Sequence, residues 1–159
     1  LVNIGNEMTN INILEDGGPV LTRDLSLGVR KFWEDMQRER GLSVEEADKI
    51  LQGFERNEAL DPFLESRGEE LAVGIERAAA FLQSASRSAG SLTRIFTVGG
   101  GARIPGLNKV LADRLRIPVE PGNPLARLNV ADTAFDALSM DEVAPLLMLP
   151  IGLALRSAA

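Results

Sequence analysis

The chain has 159 residues, with 17 Lys and Arg against 23 Asp and Glu and a net charge of −6. This length suits one domain or two small lobes with a proper core, and an acidic chain without a basic cluster argues against a nucleic-acid partner. The chain contains no Cys and no His, which excludes disulfides and thiolate or imidazole chemistry, so any reaction must use carboxylates, hydroxyls, amides or lysine.

The first 25 residues predict three antiparallel strands. Apolar and polar residues alternate in segments 2–5, 9–14 and 19–23, which is the period of a half-buried strand, and residues 16–18, Asp-Gly-Gly, supply a turn. Because the chain opens in mid-strand with no leader before it, we expect a fragment of a longer protein.

The next segment predicts three helices. From Ser26 to Gly41 apolar residues recur at helical spacing, and Trp33 is expected to anchor this helix to the sheet. Residues 43–46, Ser-Val-Glu-Glu, form a capping box for a second helix that ends at Gly53. A long amphipathic helix is predicted over residues 63–85.

Residues 94–107 read Arg-Ile-Phe-Thr-Val-Gly-Gly-Gly-Ala-Arg-Ile-Pro-Gly-Leu. The pattern predicts a buried strand with Ile95, Phe96 and Val98 inside, then three glycines, then a helix that opens at Pro105. Glycines remove every Cβ, so a flat or anionic ligand could lie against bare amides before the helix. A plain strand-to-helix turn explains the same residues.

The last segments are shorter. Residues 117–121 predict a short edge strand, because Pro118 cannot donate to a ladder, and residues 121–138 read as a loop. Ser139 and Glu142 suggest a further capping box that opens an apolar helix over residues 139–157, kinked at Pro150. The apolar stretch 143–155 is shorter than the about 20 residues that a spanning helix needs, so no membrane insertion is expected.

Two segments in which a strand gives way to glycine suggest a family. They are residues 3–9, Asn-Ile-Gly-Asn-Glu-Met-Thr, and 97–102, Thr-Val-Gly-Gly-Gly-Ala. In this order they resemble the second half of the ATPase superfamily of actin, heat-shock chaperones and sugar kinases. There a phosphate loop of the form Asp-x-Gly-x-x-x-Thr precedes an adenosine loop of the form Gly-Gly-Gly-(Ala/Ser).

The resemblance is sharper to the PilM family of type IV pilus assembly proteins, relatives of the cell-division protein FtsA. It is carried by the two loops and by residues 10–14, 22–28, 43–48, 99–107 and 144–147. It covers nearly the whole chain and leaves out the family's N-terminal half. The fold that it implies is α/β: the second domain of an actin-like (ribonuclease H-like) ATPase, with a mixed sheet flanked by helices.

The resemblance also implies a division of the chain. Residues 1–138 would form the second actin-like domain, with residues 42–62 as a small inserted subdomain. Residues 139–159 would form a C-terminal helix that returns to the first domain, which this chain does not contain.

The site residues that the resemblance implies fall at both loops. Phosphate would lie against Asn3, Gly5 and Thr9, and adenosine against a second set, namely Asp48, Gly99, Gly100, Gly101 and Ala102. The implied cofactor is ATP with Mg²⁺, bound weakly or not at all by this chain alone, because one wall of a cleft leaves the ligand wet.

Two positions depart from the family pattern. Asn3 stands where the pattern has an Asp near the hydrated magnesium ion and the attacking water, and Leu51 stands where a nucleoside-contacting Lys is common. A neutral amide lacks the charge that binds Mg²⁺ and cannot act as a base near neutral pH. We therefore expect Asn3 to reach the metal only through water and hydrolysis to be slow, and we assign no catalytic residue.

The function implied is a cytoplasmic scaffold or switch, peripheral at the inner membrane. A PilN-like inner-membrane protein would bind the absent first domain, and other pilus assembly proteins would be further partners. Three alternatives stay open: an FtsA-like or other ATPase of the superfamily, half of a sugar or acetate kinase, and an α/β module whose glycine loops hold nothing. No additional carboxylate or basic cluster marks the substrate pocket that a kinase needs.

Overall fold

A computed structural model describes residues 1–55, 58–85, 90–131, 134–135 and 139–156. Its strands form one five-stranded sheet in the order β3-β2-β1-β4-β5. The strands are β1 (Val2–Ile4), β2 (Thr9–Glu15), β3 (Gly18–Leu25), β4 (Ile95–Val98) and β5 (Val119–Pro121). β1, β2 and β3 pair antiparallel, whereas β4 pairs parallel with β1 and with β5. The predicted mixed sheet is therefore confirmed.

The hairpin between β2 and β3 closes where the sequence predicts it. Glu15 pairs with Gly18, and the two residues between them, Asp16 and Gly17, have φ angles of 50° and 80°. Two successive residues with positive φ make the kind of turn whose twist matches that of the flanking strands.

Helices flank this sheet. The α-helices of the described residues are α1 (Val29–Arg40), α2 (Val44–Leu51), α3 (Asp61–Ala85), α4 (Leu107–Leu115), α5 (Met140–Val143) and α6 (Met148–Arg156). As predicted, α1 ends at Gly41, whose φ is 68°, and α2 begins at a capping box formed by Ser43 and Glu46. Within the described ranges, every helix is too short or too polar to cross a membrane.

The core lies on one face of the sheet. Alternate residues of β1 and β2 are buried there, and α3 lies across β2 and β3. The side chains that are at most 1% exposed include Ile4, Phe32, Met36, Ile50, Leu71, Ile75, Leu107 and Leu111. Burying one such side chain contributes about 1.5–3 kcal/mol, so this face supplies most of the packing that the chain makes by itself.

A buried carboxylate joins α1 to α3. Asp35 is 3% exposed, and its two oxygens accept from Arg67 Nε and Arg38 Nη2, each at 2.6 Å. Burial opposes the charge of Arg67, but its hydrogen bonds with Asp35 and Glu70 outweigh that effect and raise its pKa. Because the loss of either arginine would leave this buried carboxylate with one partner, the ion pair from Asp35 to Arg67 couples α1 to α3.

Two aromatic residues lie closer to the surface than predicted. Trp33 is only half-buried, and α1 contacts mainly α2 and α3 rather than the sheet, because the buried stripe of α1 runs through Phe32 and Met36, one turn apart. Phe96 is 40% exposed while Thr97 is fully buried. Neighbouring residues of a strand point to opposite faces of the sheet. Thr97 points to the covered face of β4, whereas the opposite face is open at the position of Phe96.

Helix boundaries also differ from the predictions near prolines. Pro105 precedes α4, which starts at Leu107 after Gly106 at φ 84°. Ser139 makes no side-chain cap bond, so the second predicted capping box is wrong.

The C-terminal segment consists of two helices rather than one. It is interrupted at Ala144–Leu146, a 3₁₀ turn that contains Pro145, instead of kinking at Pro150. Pro150 lies in the first turn of α6, where a missing N–H breaks no intrahelical bond.

Candidate functional site

The turn from Gly5 to Met8, between β1 and β2, presents free backbone donors. The Gly5 N–H donates to the Met8 carbonyl at 3.0 Å, and the N–H groups of Asn6, Glu7 and Met8 have no protein partner within the described residues. All three residues are exposed. Successive unpaired N–H groups in a turn are the donors with which proteins hold phosphate oxygens.

The carbonyl groups of the same turn hold the start of α1. Gly5 O accepts from the Val29 N–H and Asn6 O from the Arg30 N–H, each at 2.9 Å. A Cβ at Gly28 would lie 2.3 Å from Asn6 O, so only glycine fits there, a constraint that the sequence analysis missed. The first amides of α1 are thus occupied by protein, and the free donors belong to the turn.

Arg30 pairs with two carboxylates near the turn. Arg30 Nη1 lies 3.1 Å and 3.2 Å from the two carboxylate oxygens of Glu7, and its Nε donates to Glu34 at 2.6 Å. The hydrogen bonds with Glu34 and Glu7 raise the pKa of Arg30, and the bond from Arg30 lowers the pKa of Glu34. Lys31 Nζ also lies 3.3 Å from Glu34, so Arg30 and Lys31 together offset the charges of Glu7 and Glu34, which would otherwise oppose an anion at this turn.

Thr9, predicted to contact phosphate, lies in the core. It is fully buried, and its hydroxyl donates to the Leu27 carbonyl at 2.7 Å. This bond ties the start of β2 to the segment that leads into α1. Since the hydroxyl is already bonded to Leu27 and has no access to solvent, it is not available to a phosphate. The phosphate donors that this segment offers are therefore the backbone N–H groups of the turn.

The glycines after β4 differ in what requires them. At Gly99, whose φ is 80°, a Cβ would lie 2.5 Å from Asn3 Oδ1, and at Gly101 it would lie 2.1 Å from Ile4 Cγ2. Both are therefore needed for close packing. Gly100 is exposed, and a Cβ there would meet no atom within 4 Å. Ala102 is 5% exposed, so Gly100 is the member of the predicted adenosine loop that faces open space.

Gly100 borders a pocket of about 240 Å³ that also contains Asp48, and the structure thus brings together two residues predicted to bind adenosine. We call it the Asp48 pocket. Its lining residues are Asn6, Val29, Asp48, Leu51, Gln52, Gly100, Arg103 and Ile104.

The chemistry of the Asp48 pocket suits a ring with polar edges. Leu51 and Ile104, each 3% exposed, give it an apolar floor, while the exposed Asp48 accepts a hydrogen bond from Gln52 Nε2. Arg103 lies at the pocket without an ion pair to the described residues. The sequence analysis missed Gln52 and Arg103, although Arg103 directly follows the glycine run. A mostly apolar pocket with a few convergent polar groups is the usual form of a small-ligand site.

Asn3 lies in a different depression. Its Nδ2 donates to Asn10 Oδ1 at 3.2 Å, and it borders a groove of about 760 Å³ beside α6, which we call the α6 groove. This groove and the Asp48 pocket meet at the adjacent residues Gly99 and Gly100. In the described part of the chain, no group of three or more Asp, Glu, His or Cys residues could hold a metal ion, so water-mediated contact of Asn3 with Mg²⁺ stays a prediction.

Comparison with known proteins decides the family. Residues 1–158 match the family described as type IV pilus assembly protein PilM. The chain belongs to the PilM family. It is similar to a solved structure of the PilM–PilN type IV pilus biogenesis complex, with 26% identity, a TM-score of 0.81, and coverage of 99% of this chain and 45% of that one.

Two further solved structures share the fold. The ethanolamine utilization protein EutJ from Carboxydothermus hydrogenoformans is 21% identical, with a TM-score of 0.66 over 97% of this chain and 47% of that one. MreB 5 of Spiroplasma citri bound to AMPPNP is 15% identical, with a TM-score of 0.57 over 99% of this chain and 54% of that one. These likenesses confirm the actin-like fold and nothing more specific. The PilM-family chain spans about half the length of the structures that it matches.

Proposed function

We propose that this PilM-family chain is the second domain of an actin-like protein that binds ATP with Mg²⁺ and serves type IV pilus assembly as a scaffold or switch. The observation that carries the proposal is the Asp48 pocket, in which Gly100 and Asp48 lie beside the free amides of the Gly5–Met8 turn. MreB 5, which has the same fold, was solved with AMPPNP, and that supports a nucleotide as the ligand.

Each part of the nucleotide has a matching surface in this proposal. The base lies on the floor formed by Leu51 and Ile104, where Gly100 leaves room that any Cβ would fill. The Asp48 carboxylate accepts from the ribose hydroxyls. The phosphates lie over the N–H groups of Asn6, Glu7 and Met8, whose donors are fixed by the turn and cost no rearrangement on binding.

Hydrolysis is slow in this proposal. Bound Mg²⁺ would neutralise phosphate charge, but Asn3 offers only a neutral oxygen and already donates its amide to Asn10. A neutral carboxamide cannot activate the attacking water. We therefore infer that the ligand acts mainly through binding, as a structural or switching element.

The proposals about partners are based on the family and on the share of the matching structure that this chain covers. The matching structure contains PilM together with PilN, and we propose that a PilN-like inner-membrane protein binds the first domain, outside this chain. That domain would also cover α6, whose Leu149 and Leu153 are 66% and 53% exposed, and would complete the cleft. The protein would then act in the cytoplasm, peripheral to the inner membrane, with other pilus assembly proteins as further partners.

Calorimetry with ATP and Mg²⁺ on the full-length protein tests the nucleotide site. Gly100→Val, which places a side chain in the Asp48 pocket, should weaken binding about tenfold or more, a loss of about 1.4 kcal/mol or more. Gly90→Val is the matched control, because a Cβ at Gly90 also meets no atom within 4 Å and Gly90 is outside this pocket. Equal affinities for wild type and Gly100→Val would refute the site.

Phosphate-release kinetics on the same protein test the role of Asn3. Turnover should be slow in the wild type and faster in Asn3→Asp, which restores the carboxylate of the family pattern. Fast turnover with Asn3 in place would show that the attacking water is activated by another group.

A further inference from the structure

β3 forms one edge of the sheet, and the ladder shows which of its groups point outward. The Leu1 nitrogen donates to Asn12 O and the Asn12 N–H to Leu1 O, both at 2.8 Å, so the backbone of Asn12 faces β1. Alternate residues face opposite neighbours, and Ile11, which pairs with Arg23, therefore faces β3. Arg23 faces β2 in turn, and the backbone groups of Thr22 and Asp24 point away from the sheet.

These outward groups are unpaired and uncovered. Neither Thr22 nor Asp24 has a backbone partner on its outer side among the described residues. Their side chains are held over the sheet, since Thr22 Oγ1 donates to Asn12 Oδ1 at 2.8 Å and Asn10 Nδ2 donates to Asp24 Oδ1 at 2.7 Å. The opposite edge, β5, has three residues and ends at Pro121, so β3 is the better template for an added strand.

A groove of about 570 Å³, the β3 groove, lies between this edge and α3. The helix can approach β3 closely because residue 74 is glycine. A Cβ at Gly74 would lie 2.3 Å from Leu25 Cδ1. The guanidinium of Arg23 lies 4.3 Å from the ring centroid of Phe81, which is 48% exposed. Side chains of an added strand that point to the same side as Arg23 would enter this groove.

The charge of the β3 groove favours acidic side chains. Arg23 and Arg77 make no ion pair with the described residues. Of the two acidic residues at the groove, Glu70 forms an ion pair with Arg67. The Asp24 carboxylate keeps its charge, but Asn10 Nδ2 holds it on the face of the sheet opposite Arg23. Two free guanidinium groups next to an open backbone edge recognise a carboxylate on an extended chain.

We propose that the β3 edge binds an extended acidic segment of a partner protein as an added strand, with its carboxylates lying against Arg23 and Arg77. A second copy of this chain fits less well, because its own β3 would bring another Arg23 to a groove that already holds two unpaired arginines. The β3 groove shares no lining residue with the Asp48 pocket, so the acidic segment and a nucleotide would not compete for the same contacts.

The probe is a fluorescent eight-residue peptide of alternating Glu and Thr with blocked ends, titrated onto the full chain without nucleotide and followed by fluorescence anisotropy. It should bind, whereas the peptide of alternating Lys and Thr should not. Arg23→Gln and Arg77→Gln should each weaken binding about two- to fivefold, as expected for exposed ion pairs. Arg127→Gln is the control, because Arg127 is also exposed and lies outside the β3 groove.

Backbone pairing is tested by N-methylating the Glu–Thr peptide at every second residue, in both alternations. In an added strand, the N–H groups of every second residue point toward β3 and the others point away. Methylating the first set should abolish binding, whereas methylating the second set should leave it unchanged. Thr22→Pro removes an outward N–H that has no partner in the fold, a substitution that an edge strand tolerates, and it should weaken binding. It should lower the melting temperature only slightly, because it also removes the exposed hydrogen bond from Thr22 Oγ1 to Asn12.

Three results would overturn the proposal. Equal binding of both methylated peptides would mean that the peptide is held by charge attraction to the arginines without backbone pairing to β3. A concentration-dependent dimer that Thr22→Pro abolishes would show a second copy on this edge. No binding of the Glu–Thr peptide would mean that the charges of β3 only protect the edge against pairing.

Discussion

The two faces of the sheet are built differently. On the α3 face, Ile4 and Ile11 are at most 2% exposed, with Leu71 and Ile75 of α3 buried in the same core. On the other face, the row Asn3, Asn10, Asn12 and Thr22 lines the α6 groove. The first face completes its packing within this chain, whereas the second combines hydrogen-bonded amides with exposed leucines. Such a surface is typical of one that another unit covers.

The largest expected effect on stability distinguishes two leucines on helices that lie on opposite faces of the sheet. Leu71 of α3 is fully buried and Leu153 of α6 is 53% exposed. Leu71→Ala should lower the free energy of unfolding by about 2–5 kcal/mol because it leaves a cavity. Leu153→Ala should change it by about 0.5 kcal/mol or less. Urea unfolding of both variants measures the difference, and similar losses would mean that α6 is packed in solution.

A second test breaks the ion pair that joins α1 to α3. Arg67→Met should destabilise the chain by about 3 kcal/mol, because it leaves the buried carboxylate of Asp35 with Arg38 alone. Arg114→Met is the control, since Arg114 makes its ion pairs with Glu69 and Glu76 at the surface, where such pairs contribute about 0–1 kcal/mol. If both variants unfold at the same urea concentration, Asp35 is not held as described.

A third test separates two adjacent glycines. Gly101→Ala should cost about 1–3 kcal/mol, because the new methyl group would overlap Ile4 in a packed core. Gly100→Ala should cost about 0.5 kcal/mol or less, because its methyl group would enter open space. Thermal unfolding of the two variants gives the comparison, and a larger loss at Gly100 would contradict the assignment of Gly100 to a pocket.

The smallest effect concerns pH and the cap of α2. The N–H and side chain of Ser43 lower the pKa of Glu46. A carboxylate whose pKa is lower in the folded state stabilises the fold above its unfolded pKa, and that contribution is lost as the pH falls through the folded value. Glu46→Gln should therefore lower the melting temperature slightly near neutral pH, and by less as the pH falls below the ordinary glutamate pKa.

The exposed Glu45 is the control for this effect, because its side chain makes no ion pair with the described residues. Glu45→Gln removes a charge from the same first turn without breaking the capping box, so it separates the bond between Glu46 and the Ser43 N–H from the general effect of charge at a helix N-terminus. A difference between Glu46→Gln and wild type that persists unchanged at low pH would assign the effect to helix propensity instead of charge.

Much of the fold was predictable because its signals are local. Alternation in residues 9–14, the Asp16–Gly17 turn and the Ser43–Glu46 capping box each lie within a few residues, and the structure confirms all three. Trp33 and Phe96 were misplaced because their burial depends on which neighbours cover them. Local spacing does not contain that information.

The candidate site was predictable only in part. Asp48 and Gly100 do lie together, but Thr9 proved to be a core residue whose hydroxyl holds Leu27. The division at residues 138 and 139 and the insertion at residues 42–62 stay predictions. Residues 136–138 lie outside the described part of the chain, as do residues 157–159 at the end of the predicted C-terminal helix.

The sequence by itself determined the hairpin, most helix boundaries and the two glycine turns, because periodicity, caps and positive φ depend on short stretches of chain. Only the tertiary structure decided that Gly99 and Gly101 serve packing while Gly100 borders a pocket, and that the outer backbone of β3 is free beside two arginines. Those properties depend on distances between segments far apart in sequence, which are fixed only when the sheet and α3 pack together.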